Sequence, residues 1–114
     1  MSYEVSFTSL ARRDYDENIG YIVGILKNVT AARNLRRRFK EASEQLSVNP
    51  ESSRLSDIGC LAELGVRVRY IGGYDIFYIF TGDRVVILRF VSTLMDTYSD
   101  DFIESVIEGT FEDI

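Results

Sequence analysis

The sequence predicts an α+β fold. It reads as an N-terminal strand, an antiparallel helical hairpin, a three-stranded antiparallel meander completing a four-stranded sheet, and a C-terminal helix. Three observations carry this. Tyr3-Glu4-Val5-Ser6-Phe7 alternates apolar and polar residues, as a strand buried on one face does. Two consecutive segments then repeat apolar residues every three or four positions, the helical period. Finally, Val66–Val91 contains three strand-like runs separated by Gly72-Gly73 and Gly82-Asp83, and strands joined by two-residue turns must be antiparallel. At 114 residues the chain is long enough for one core and too short for two.

Each element has a local cause. Thr8 and Ser9 offer capping oxygens to a first helix whose apolar residues fall at Tyr15, Ile19, Ile22 and Leu26. The connection Lys27-Asn28-Val29 is short, so the second helix folds back antiparallel. Thr30 is positioned to cap that helix, and Ala32, Leu35, Phe39, Ala42 and Leu46 form its inner stripe. Its outer face carries Arg33, Arg36, Arg37, Arg38 and Lys40, either a solvated surface or a binding one. Asn49-Pro50 closes the helix, because proline pushes the residue before it out of helical geometry. Residues 51–65 read as loop, with Cys60-Leu61-Ala62 as a short turn. In the meander, the run Tyr74–Thr81 is apolar on both faces, Ile76, Tyr78 and Phe80 on one and Phe77 and Ile79 on the other. It is therefore the central strand. Ser99-Asp100-Asp101 opens the last helix with a cap and two acids at the positive end of its dipole. Phe102, Ile103, Val106 and Ile107 give that helix an apolar stripe, and Gly109 is expected to end it. The expected division is a domain over 1–98 and an acidic helix over 99–114 packed on or near it.

Composition excludes several chemistries. The chain has no histidine, which removes histidine general-base catalysis and most zinc sites. Cys60 is alone, so no internal disulfide forms and a reducing compartment fits. No apolar run approaches the roughly 20 residues of a membrane span, and Met1-Ser2-Tyr3-Glu4 is not the start of a signal peptide, so a cytoplasmic chain is expected. No glycine-rich phosphate loop and no paired metal ligands occur, so neither cofactor nor metal is expected. What remains is arginine, tyrosine and the carboxylates. The net charge of −5 is unevenly placed: all 13 Lys and Arg lie in residues 1–94, whereas 95–114 hold seven acids and no base. Arg67 and Arg69, two apart on a strand, share one face, and Arg89 on the third strand joins them or not according to register. Clustered guanidinium groups offer planar forks of donors to phosphate; alternatively they border the solvent side of the sheet. Tyr70, Tyr74 and Tyr78 fit packing better than base stacking, and Asp75 is an unusual residue for a central strand.

The order of these elements resembles the RelE/ParE superfamily of bacterial toxins (the plasmid stabilisation proteins). The resemblance rests on Tyr3–Thr8 leading into a helix with Ala11 and Asp14, Tyr21-Ile22, Ala31-Ala32 with Phe39 and Leu46, and Asn49-Pro50. It continues through Gly65-Val66-Arg67, Gly73-Tyr74-Asp75-Ile76-Phe77-Tyr78 and Gly82–Arg89, and it covers about residues 3–96. Met95-Asp96 resembles the end of the pattern in the gyrase-poisoning branch. The resemblance implies the toxin of a type II toxin–antitoxin pair, neutralised by a cognate antitoxin protein. Its target is then ribosome-bound messenger RNA, cut without a metal, or DNA gyrase. It further implies Arg67 and Arg69 as phosphate-contacting and catalytic positions, with Arg89 and Tyr98 as further catalytic candidates, and Arg33 and Arg37 as antitoxin contacts. Two departures weigh against RNA cleavage: Asp75 stands where the ribonucleases often have arginine, and Ser92-Thr93-Leu94-Met95 where they have basic residues or histidine. Each lost cation would remove several kcal/mol of transition-state stabilisation. The alternative is a toxin-fold binding module with a degenerate active site. The acidic tail could lie across the basic groove, or dock through its apolar stripe with its acids in water.

Overall fold

The computed structural model describes residues 2–112. Their elements are β1 (Glu4–Phe7), α1 (Ser9–Gly24), α2 (Val29–Val48), β2 (Arg54–Leu55), α3 (Gly59–Glu63), β3 (Arg67–Ile71), β4 (Tyr74–Phe80), β5 (Arg84–Ser92) and α4 (Asp100–Thr110). One sheet runs in the order β1-β5-β4-β3-β2, with β1 parallel to β5 and the other neighbours antiparallel. The meander is as expected. The sheet has five strands rather than four, because Arg54–Leu55, expected as loop, pairs with Val68 and Arg67 at the edge. The other part of that expected loop is α3, which encloses the short turn at Cys60-Leu61-Ala62. Among the described residues no helix is long and apolar enough to cross a membrane.

Side chains alternate across the sheet, so one face meets the hairpin and the other meets α3 and α4. On the hairpin side, Ile71, Ile76, Tyr78, Val85, Ile87 and Phe90 pack with Ala11, Ile22, Leu35, Phe39 and Leu46. On the opposite side, Val66, Val68, Phe77, Val86, Leu88 and Val91 pack with Leu61, Phe102 and Val106. β4 is buried through its middle because both faces are covered, as its composition implied. A bulge between Phe77 and Tyr78 sets Arg89 opposite Phe77 and Ile87 opposite Tyr78, leaving Leu88 as the extra residue.

Local chemistry explains the element ends. Thr8 Oγ1 accepts from Ala11 N–H and donates to the Leu88 carbonyl, so the α1 cap also fastens α1 to β5. α2 begins one residue before Thr30, capped by Asn28, whose Oδ1 accepts from Ala31 N–H. Lys27 adopts φ +53° in the turn, and this lets Asn28 N–H reach back to the Ile22 carbonyl. α1 therefore stops at Gly24 and Leu26 projects into solvent rather than joining the buried stripe. Gly109 does not end α4; it lies inside the helix at a close approach to the sheet, where an added Cβ would sit 3.2 Å from Leu88 Cδ2. Phe102 and Val106 dock α4 while Asp100, Asp101, Glu104 and Glu108 face water. Glu112 then accepts from the Ser9 N–H and hydroxyl at 2.9 and 3.0 Å, tying the helix end to the start of α1.

Candidate functional site

Arg67 and Arg69 share a face, as their spacing requires, and it is the hairpin face at the edge of the sheet. Both guanidinium groups are occupied. Arg67 donates to the carbonyls of Ser53 (2.7 Å) and Glu51 (3.4 Å) and pairs with the Glu51 carboxylate at 3.4 Å. Arg69 donates to Ser52 Oγ at 3.4 Å and to Gln45 Oε1. Together with Tyr78, whose buried hydroxyl donates to the Pro50 carbonyl at 2.8 Å, they hold the 50–53 segment against the sheet. The cleft beside Arg69 is lined by Gln45, Val48, Asn49 and Ser52, but also by Glu41 and Glu44. Those two carboxylates oppose a phosphate.

Arg89 is not with them. It lies on the other face, 9% exposed, with Nε and Nη2 donating to Asp14 at 2.6 and 3.0 Å and Nη1 donating to Ser105 Oγ at 2.7 Å. Its guanidinium sits 4.9 Å from the centre of the Phe102 ring. Asp14 also accepts from Phe90 N–H at 3.1 Å. The pair thus joins α1, β5 and α4. Asp14 had a sequence signal: it is spaced three and four from Ala11 and Asn18, on the inward stripe of α1, where an acid needs a partner.

Tyr98 lies in the loop before α4 and donates to Asp57 Oδ2 at 2.6 Å. That hydrogen bond, with the charge of the same carboxylate, pushes its pKa above the usual tyrosine range, so it remains a donor rather than a base at neutral pH. On the same side, Asp75 pairs across the strands with Tyr70, and burial raises its carboxyl while Arg54 pulls it back. Tyr78 and Tyr74 are packing residues, Tyr74 stacked on Phe90, whereas Tyr70 is 65% exposed.

Arg33 and Arg37 line a groove with Tyr15, Arg36, Phe39 and Lys40, where the cations of α2 pass over α1. Arg37 meets Glu41 at 3.9 Å on the surface, and among the described residues Arg33 makes no ion pair within 4 Å. The hairpin tip beyond this groove exposes Tyr21, Ile25, Leu26 and Val29. Of these only Leu26 belongs to the apolar series read for α1, and that series places it inside rather than on the surface.

The hairpin thus covers one face of the sheet and α4 the other, with the cations of α2 outermost. The fold is similar to that of the chromosomal ParDE toxin–antitoxin system from P. aeruginosa, with a TM-score of 0.63 and 20% identity over 80% of this chain and 96% of that one. It is also similar to the toxin–antitoxin complex RelBE2 from Mycobacterium tuberculosis, with a TM-score of 0.58 and 24% identity over 81% of this chain and 99% of that one. No curated protein matches by sequence. Residues 5–97 match the ParE toxins of type II toxin–antitoxin systems (parDE), and the chain belongs to that family.

Proposed function

We propose that this toxin arrests growth by contact with a protein target, DNA gyrase in the branch it resembles, and not by cutting messenger RNA. One observation carries this reading: every side chain that would do the chemistry is already bonded within the chain. Arg67 and Arg69 hold the 50–53 segment, Arg89 is buried against Asp14, and Tyr98 is held by Asp57. A ribonuclease of this class needs cations free to meet a developing phosphorane and a group to move protons. Here one cation pair borders glutamates, the third arginine lies opposite Phe77 on the other side of the sheet, and histidine is absent.

The antitoxin contact is proposed at the α1–α2 groove. Arg33 and Arg37 present charge there, and the exposed tip from Tyr21 to Val29 supplies apolar area beside them. An amphipathic acidic segment matches both features. Inducing the chain alone and with the neighbouring gene tests the reading. The expected result is growth arrest with DNA-damage signalling, rescued by the neighbour, and intact transcripts in a translating extract. Transcript cleavage that disappears in Arg69→Ala would overturn it.

A further inference from the structure

We infer that the toxin carries a second protein-docking surface, on the side of the sheet away from the hairpin, built for a partner segment bearing Lys or Arg beside apolar side chains. The inference rests on the reading of the chain as a toxin that acts by contact, and it concerns which face meets the partner. α4 covers only part of this side of the sheet. Beyond it the strands end in an open face where Tyr70 is 65% exposed and Arg54, Asp75 and Tyr70 share one side. The 93–98 loop frames that face. Thr93 N–H donates to the Gly73 carbonyl at one end, and Tyr98 donates to Asp57 at the other. Between these anchors Leu94 is 94% exposed, and Tyr98 itself is 62% exposed. Large apolar side chains so exposed along a loop held at both ends form an apolar surface that nothing in the described fold covers.

Charge identifies the occupant. Asp57, Asp96, Asp100 and Asp101 are exposed around this surface and Asp75 lies half-buried within it, with Arg54 as the cation acting on it among the described residues. Among the described residues Arg54 has no carboxylate within 4 Å. A nucleic-acid backbone would meet net repulsion here, whereas a basic protein segment gains Coulomb attraction at the rim and apolar contact with the tyrosines. The polarity is opposite to that of the α2 groove, so the two surfaces select different partners.

The test uses the full chain and three double variants: Tyr70→Ser/Tyr98→Ser, Asp100→Lys/Asp101→Lys, and Glu104→Lys/Glu108→Lys, the last making the same charge change further along α4. The probe is a fluorescein-labelled synthetic peptide alternating arginine and leucine, read by fluorescence polarisation. Binding to the wild type is expected to weaken at least tenfold in the first two variants and to stay within twofold in the third. No binding by the wild type, equal loss in both charge variants, or no loss on removing the tyrosines overturns the inference. Dimerisation of the wild type abolished by the tyrosine changes also overturns it, because the face then belongs to a second copy. Growth arrest supplies the second arm. If the wild type arrests growth, the tyrosine variant is expected to lose arrest at equal soluble levels while still being captured by the neighbouring gene's product; retained arrest overturns the inference. Should the wild type not arrest growth, the toxin reading fails, and the peptide measurements alone decide the surface.

Discussion

Breaking the Asp14–Arg89 pair on one side should be among the most damaging single changes in this molecule, and breaking it on both sides should be mild. The Asp14 carboxylate takes three hydrogen bonds, at 2.6, 3.0 and 3.1 Å, and the two side chains are only 10% and 11% exposed. Arg89→Met alone leaves that carboxylate buried with a single backbone donor. Losing one partner of a buried pair costs about 3–5 kcal/mol, much of a domain stability of about 5–15 kcal/mol. At roughly 4 °C per kcal/mol for a chain of this size, the melting temperature should fall by ~12–20 °C. Asp14→Asn/Arg89→Met removes both charges but keeps an amide oxygen for Phe90 N–H, and it should lie within about 2 kcal/mol of wild type. Urea unfolding followed by circular dichroism on the four proteins gives the coupling energy directly. A single-variant loss below about 1 kcal/mol, or strictly additive effects, would refute the assignment of Arg89 as a structural anchor. Growth arrest adds a separate criterion: a stable double variant that no longer arrests growth would return Arg89 to the functional machinery.

Three further outcomes are expected. Tyr78→Phe should cost about 1–3 kcal/mol, because the Pro50 carbonyl loses its buried donor, and a urea midpoint unchanged from wild type would contradict that role. Asn28→Ala should cost about 1 kcal/mol through loss of the α2 cap, whereas Thr30→Ala should be nearly silent in the same assay; equal effects would undo the cap assignment. Asp75→Asn should stabilise at neutral pH. Burial raises the folded carboxyl above its ordinary 3.8, so between 3.8 and the raised value the folded state keeps a proton that the unfolded state has released, and above that value the fold carries the cost of a partly buried charge. The stability tied to that proton is complete below 3.8 and is lost as pH rises through the folded value. The advantage of asparagine should therefore shrink on acidification, and melting curves with a pH-independent gap would exclude this origin.

Most of the architecture was readable from residues because period and turn chemistry agreed. Ala32, Leu35, Phe39, Ala42 and Leu46 define the inner face of α2, and Gly72-Gly73, at φ +53° and +98°, makes the hairpin that joins β3 to β4. What escaped depended on contacts distant in sequence. A two-residue strand such as Arg54–Leu55 has no period; it exists because β3 offers an edge and Ser56 N–H reaches the Val66 carbonyl. The cap at Asn28 rather than Thr30 follows from the left-handed Lys27, a conformation lysine rarely signals. The site was less legible than the fold. Arg67 and Arg69 were correctly placed on one face, yet strand spacing says nothing of what already bonds to them. The face of Arg89 turned on the bulge at Leu88, which no local pattern marks.

The parallel pairing of β1 with β5 has a consequence in time. Glu4 aligns with Arg84 and Phe7 with Ile87, so β1 has no place in the sheet until some 80 residues more have been made. At about 5–20 residues per second this is a wait of ~4–16 s, during which the hairpin can form but the sheet has no edge for it to cover. The cap at Thr8 and the anchor at Asp14 likewise wait for Leu88 and Arg89. A nascent chain therefore cannot present the finished surfaces of the toxin before β5 has been made. The cell has that interval in which to have the antitoxin already at hand.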